Sequence, residues 1–138
     1  MKRILLASLA ILALLVMPAF AAGPPPFRPL GLALDTGTKT ATATAGAATL
    51  NKAAGVITSE TGITTAAGAS YTLTLTDSAI AAADQVFASV AYGTSTTGTP
   101  TITKITPAAG SVVIVVQNVH ASAAFNGSIK IAFAVLKN

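Results

Sequence analysis

Tyr71-Thr72-Leu73-Thr74-Leu75-Thr76 alternates apolar and hydroxyl side chains without a break. A period of two is the repeat of a strand with one buried and one wet face, and a helix would scatter Tyr71, Leu73 and Leu75 around its axis. From Thr38 onward the chain repeats this theme in short runs. Thr40 to Ala45 alternates Thr and Ala, and Ala47 to Leu50 leads into Asn51-Lys52-Ala53-Ala54-Gly55, which reads as a turn with Gly55 placed for positive φ. Val56 to Thr58, Gln85 to Tyr92, Thr99 to Thr106, Ser111 to Gln117 and Ser128 to Leu136 read as further strands. Between them lie the Gly93–Gly98 loop and the Pro107-Ala108-Ala109-Gly110 turn. Asp77 to Asp84 is the one candidate helical turn, with Asp77 or Ser78 as its cap. Turn signals at this spacing predict a single all-β domain over 38–138, an antiparallel β-sandwich of about seven or eight strands. The pattern leaves jelly-roll and immunoglobulin-like windings both open.

Two runs bear on what covers the sheets. Val112 to Val116 is continuously apolar, which predicts cover on both faces. In the last run Ile129, Ile131, Phe133 and Val135 share one side, and Lys130, Ala132, Ala134 and Leu136 the other. If these two strands pair, Val113 and Val115 join Ala132, Ala134 and Leu136 in one apolar patch. A central position between two sheets or a subunit interface would account for it.

The N-terminus speaks to compartment. Lys2 and Arg3 precede an apolar run from Ile4 to Met17, and Pro18 with Ala19-Phe20-Ala21 fits a signal-peptidase site. The run is shorter than the about 20 residues a transmembrane helix needs, so residues 1–21 read as a secretion signal cleaved after Ala21 or Ala22. Export to the cell surface or beyond is the expected localisation, with no transmembrane segment after cleavage. Residues 22–37, opening on Gly23-Pro24-Pro25-Pro26, read as an extended arm whose Leu30, Leu32 and Leu34 call for a partner surface. The chain has no cysteine, which excludes lipoprotein attachment and any disulfide framework.

Chemistry is sparse. Without Lys2 and Arg3, six basic side chains face four acidic ones with no cluster, so a phosphate-neutralising stripe for nucleic acid is absent. His120 is the single histidine, no Gly-x-Ser-x-Gly elbow is present, and His120 reads as a loop or interface hydrogen-bonding group. Gly37-Thr38-Lys39-Thr40 lacks the Gly-Lys pair of a phosphate loop. A zinc site is not supported, and the one calcium arrangement to consider is Asp77 and Asp84 with carbonyl oxygens. Neither a cofactor nor a catalytic residue is expected. Asn126-Gly127-Ser128 matches a glycosylation sequon, but Asn-Gly is also a strong hairpin signal and is read as a turn.

The stretches Ala43-Thr44-Ala45-Gly46-Ala47-Ala48-Thr49-Leu50-Asn51-Lys52, Gly55 to Thr58, Ala66 to Leu75, Thr106 to Ile114, and Asn118 to His120 with Asn126-Gly127 resemble small β-sandwich structural proteins of tailed bacteriophages. That resemblance implies a decoration- or fibre-like component, here carrying a secretion signal. The expectation is an exported, non-enzymatic subunit whose partners are copies of itself, in an oligomer or filament. Leu30, Leu32, Leu34, Val113, Val115, Ala132, Ala134 and Leu136 form its candidate assembly interface, and the arm would add as a strand to a neighbour's edge. The alternative is an extracellular module for a cell-surface glycan, using the Gly93–Gly98 loop, although Tyr71 and Tyr92 are the only tyrosines and tryptophan is absent.

Overall fold

The computed structural model describes residues 39–138. The expected leader and arm, with Leu30, Leu32 and Leu34, lie outside the described residues. Eight strands form: β1 (Thr40–Thr42), β2 (Ala47–Thr49), β3 (Ala54–Thr58), β4 (Ser70–Thr76), β5 (Gln85–Tyr92), β6 (Pro100–Ala108), β7 (Ser111–Asn118) and β8 (Ile129–Leu136). They build two four-stranded sheets, a first in the order β1-β3-β8-β5 and a second in the order β2-β4-β7-β6. The expected all-β sandwich is the fold.

Its winding follows from the pairings. β3 and β4 lie antiparallel on β8 and β7, and β5 and β6 lie antiparallel on the far sides of the same two strands. From β3 onward only β6 and β7 are both consecutive and adjacent; the other connections cross between sheets. This back-and-forth winding between the sheets departs from the immunoglobulin order. An immunoglobulin order would put the last strand at an edge, whereas β8 is central.

The sheets are mixed, with β1 parallel to β3 and β2 parallel to β4. The cause is a turn that sequence pattern reads as strand. Thr44 and Ala47 exchange backbone hydrogen bonds of 2.8 and 3.0 Å around Ala45 and Gly46, whose φ angles are 49° and 74°. Two left-handed residues in a two-residue loop make a type I′ hairpin. A Cβ on Gly46 would also lie 2.6 Å from the Thr72 carbonyl oxygen. The legs of this hairpin part to opposite sheets, so each takes a neighbour whose direction it shares.

Alternation decides what is buried. Tyr71, Leu73 and Leu75 of β4, Val112, Ile114 and Val116 of β7, and Ile129, Ile131, Phe133 and Val135 of β8 meet Ile57, Leu50, Ile63, Ile80 and Phe125 in one core. The threonines of β4 face out, as its alternation predicts. Elsewhere the structure departs from the pattern. Val113 and Val115 are only half-buried on the outer face, because β7 is central within its sheet but the described residues lay no second layer over it. Gly55 sits inside β3 without positive φ. Residues 77–84 form two successive turns with no helix, because Asp77 Oδ1 takes the Ala79 N–H at 2.8 Å and Asp84 Oδ2 the Ala81 N–H at 2.7 Å, side-chain acceptors that displace helical bonds.

Ala45 is the one non-glycine residue with positive φ among those described. A left-handed alanine costs about 1 kcal/mol, which Asn or Gly largely avoids. Ala45→Asn is expected to raise stability by up to about 1 kcal/mol and the melting temperature by several degrees. A melting temperature at or below wild type would rule this out.

Candidate functional site

The outer face of the first sheet is the candidate assembly surface. Register with β8 sets Phe87 beside Ala134, Ser89 beside Ala132 and Ala91 beside Lys130. On the other flank Ala54 and Val56 of β3 lie beside Ala134 and Ala132. Alanines at the centre lower the floor, and Phe87, 62% exposed, rises from it. Phe87, Ser89, Ala132 and Ala134 thus border a shallow depression. Leu136, also largely exposed, extends the apolar area at the end of β8, and Lys130 bounds it at the other. A second open groove runs along Thr40, Thr42, Val56, Thr58 and Lys130.

The second sheet presents a different outer face. Thr72, Thr74 and Thr76 of β4 flank Val115, Val113 and Ser111, with Lys104, Thr106 and Ala108 beyond. The expected patch therefore does not form. β7 and β8 belong to different sheets, so Val113 and Val115 lie on one outer face and Ala132, Ala134 and Leu136 on the opposite one. Phe87 was not among the candidates, although the signal existed: period two in Gln85–Tyr92 groups Val86, Ala88 and Val90 inward and leaves the ring among Ser and Ala.

One end of the sandwich is a hydrogen-bonded polar lattice. Asn118, fully buried, accepts from the Thr99 and His120 N–H groups at 2.9 and 3.2 Å and donates to the Thr65 and Ala123 carbonyls at 3.0 and 2.8 Å. All four of its hydrogen-bonding positions are filled. His120 Nδ1 accepts the Ser122 and Ala123 N–H groups at 3.1 and 2.8 Å, the loop-bonding role its sequence position suggests. Asn126 Oδ1 takes the Thr96 and Thr97 N–H groups and the Ser95 hydroxyl, while its amide donates to Thr96 Oγ1 at 2.9 Å. Asn126-Gly127 is not a hairpin turn: it lies in the bent segment that leads into β8, and Gly127 is required because a Cβ there would meet Ser95 N and Thr94 Oγ1 at 2.7 Å. The Gly93–Gly98 loop is tied down by these bonds and by the Tyr92 hydroxyl donating to the Gly98 carbonyl at 2.8 Å.

The other end holds Asp77 and Asp84. Asp84, buried, pairs with Lys137 at 2.6 Å, and Lys137 also donates to the Ala79 carbonyl. That ion pair occupies an oxygen the calcium arrangement would need, and no group of three His, Asp or Glu side chains converges among the described residues. The Lys137 hydrogen bond, followed by the Ala81 N–H, holds the Asp84 carboxyl below its usual range. Burial pushes Asp77 the other way, only partly opposed by the Ala79 and Lys52 backbone N–H groups and the Lys137 charge. Asp77 Oδ2 is buried without a hydrogen-bond partner. Tyr71 is raised chiefly by burial and then by donating to Glu60 Oε2 at 2.8 Å, which pins the 59–63 loop to β4.

Comparison with protein-family models, curated proteins and solved structures finds no match for this chain.

The two aspartates set opposite pH dependences. Asp77 binds its proton more tightly folded than unfolded, so its contribution is full below the unfolded value of about 3.9 and is lost as pH rises through the raised folded value. Asp84 contributes fully above about 3.9 and loses that contribution as pH falls through its lowered folded value. Relative to wild type, Asp77→Asn should gain stability as pH rises from about 4 to 7, while Asp84→Asn should be most damaging at neutral pH and least in acid. Urea unfolding across this range checks both, and pH curves parallel to wild type would contradict the assignment.

Proposed function

We propose that this chain is an exported, non-enzymatic structural subunit that assembles with copies of itself on a surface or into an oligomer or filament. The observation that carries this reading is Phe87, exposed on an alanine floor in a sheet face that also bears Leu136, Val56, Ala132 and Ala134. Contiguous apolar area of this kind marks an interaction surface. A knob beside a shallow depression is self-complementary, as an interface between two identical subunits requires. The resemblance to decoration and fibre proteins points the same way, and the N-terminal apolar run with Ala19-Phe20-Ala21 supports export.

A glycan-binding role draws less support. The hydroxyls and amides of the Gly93–Gly98 loop bond to Asn126, Ser128 and one another, which leaves few free donors and acceptors for a sugar.

Burying one such ring is worth about 1.5–3 kcal/mol. Phe87→Ser should therefore weaken self-association by about tenfold or more, with the melting temperature of the isolated subunit little changed because the ring is outside the core. Light scattering and electron microscopy over a concentration series read this out. A chain that stays monomeric throughout would remove the proposal.

A further inference from the structure

The four edge strands are treated very differently. β1 and β2 are three residues each, too short to template another strand. β6, the long edge of the second sheet, carries Pro100 and Pro107, a bulge between Ile102 and Lys104, and the Lys104 charge. Missing N–H groups, a bulge and a lysine are the devices that stop a free edge from pairing with another chain. β5, the long edge of the first sheet, has none of them. Gln85-Val86-Phe87-Ala88-Ser89-Val90-Ala91-Tyr92 is eight residues without proline, glycine, charge or bulge, in unbroken register with β8. Its inward residues Val86, Ala88 and Val90 pack against the core yet remain half-buried, with β6 of the other sheet as their neighbour across the sandwich. Among the described residues no strand pairs with its other side.

We propose that β5 is an assembly edge, and that its occupant is β5 of a second copy, paired antiparallel about a twofold axis. This rests on the self-assembly reading above and assigns it a specific contact. Two first sheets then join into one sheet of eight strands. Antiparallel pairing keeps outward residues opposite outward ones, so the Phe87 rings meet the small Ser89 and Ala91 positions or each other, continuous with the alanine floor. Val86 and Val90 gain the neighbour that an edge position denies them. β6 of each copy, guarded by its prolines and Lys104, stays out of the pairing, which limits association at this flank to two copies.

The chain has no cysteine, so single cysteines report the contact without background. Introduced one at a time as Phe87→Cys, Ala88→Cys, Ser89→Cys, Val90→Cys and Ala91→Cys in the full chain, they are to be oxidised and compared with Thr101→Cys and Thr106→Cys on β6. Directly opposed residues about 4.5–5.5 Å apart suit a disulfide. The position on the twofold axis should form covalent dimer several-fold faster than either β6 control. An oligomeric protein in which no β5 position outpaces β6 overturns the β5 contact and leaves self-assembly standing. A full chain that light scattering shows to be monomeric removes both. A cross-link from Ser89→Cys to Leu32→Cys of another copy, with none between β5 strands, gives the edge to the arm and overturns the β5–β5 pairing.

Discussion

The inner faces of β7 and β8 are where this structure is held. Val112, Ile114 and Val116 on one strand and Ile129, Ile131, Phe133 and Val135 on the other are buried in the same core cluster. Each strand is central in its own sheet, flanked on both sides by strands that pair with it. β3 and β5 have β8 as their long antiparallel neighbour, and β4 and β6 have β7. Each of these side chains contributes about 1.5–3 kcal/mol by leaving water, and with no disulfide to constrain the unfolded chain that burial carries the stability. Because β3 and β8 are far apart in sequence, the ladders form only after long stretches of chain have been brought together, the non-local topology that folds slowly.

The apolar core stops at the sandwich ends, and polar side chains finish the closure. Asn118 continues the inward face of β7 for one more residue, where a valine would leave the Thr99 and His120 N–H groups and the Ala123 carbonyl without partners and the Thr65 carbonyl with the Phe125 N–H alone. Each unpaired buried group costs about 1–3 kcal/mol, so a fully bonded asparagine there is worth more than a hydrophobic residue of similar size. Ser59, Ser95 and Ser128 act similarly, their hydroxyls taking up backbone groups in the 94–97 and 126–129 segments. At the opposite end Asp77 and Asp84 do this with charge, and Asp77 incompletely.

Much of this was legible in the sequence because period two survives burial. The Tyr71–Thr76 alternation and the Gln85–Tyr92 run lie where pattern places them, since each depends on near neighbours alone. The expected Pro107–Gly110 turn shrinks to Ala109-Gly110, because Pro107 and Ala108 still pair with β7 as the end of β6. What pattern could not reach depended on partners distant in the chain. Val113 and Val115 look like one patch with Ala132 and Ala134 only if β7 and β8 pair, and nothing local says that these strands belong to different sheets. The Ala45-Gly46 hairpin was hidden because alanine is a poor left-handed residue and the Thr–Ala alternation runs through it. Asn126-Gly127, a far stronger hairpin signal, turns no hairpin and instead leads into β8, packed against residues 94 and 95 of another loop. His120 and Asn118 were visible as polar residues at a strand end, but their bonds to residues 99, 65 and 123 were not.

The surface divides along the same lines as the sheets. On the second sheet, threonines and half-buried valines alternate, giving a face that offers hydroxyls to water and no large ring. On the first, alanines hold the centre, and the one aromatic ring on that face is Phe87, with Leu136 and Lys130 at its two ends. Folding does not explain that choice: the ring lies outside the core, and threonine suits an exposed strand position at least as well. Nor does it explain why one long edge carries two prolines, a bulge and a lysine while the other carries none. Both asymmetries fall on the same strand, β5, where the bare edge adjoins the exposed ring. A monomer with this fold would gain by guarding both edges and keeping both faces polar. A subunit that must join a copy of itself at one flank needs the two devices together, the open edge to set direction and register, and the ring to supply the apolar area that a backbone ladder lacks.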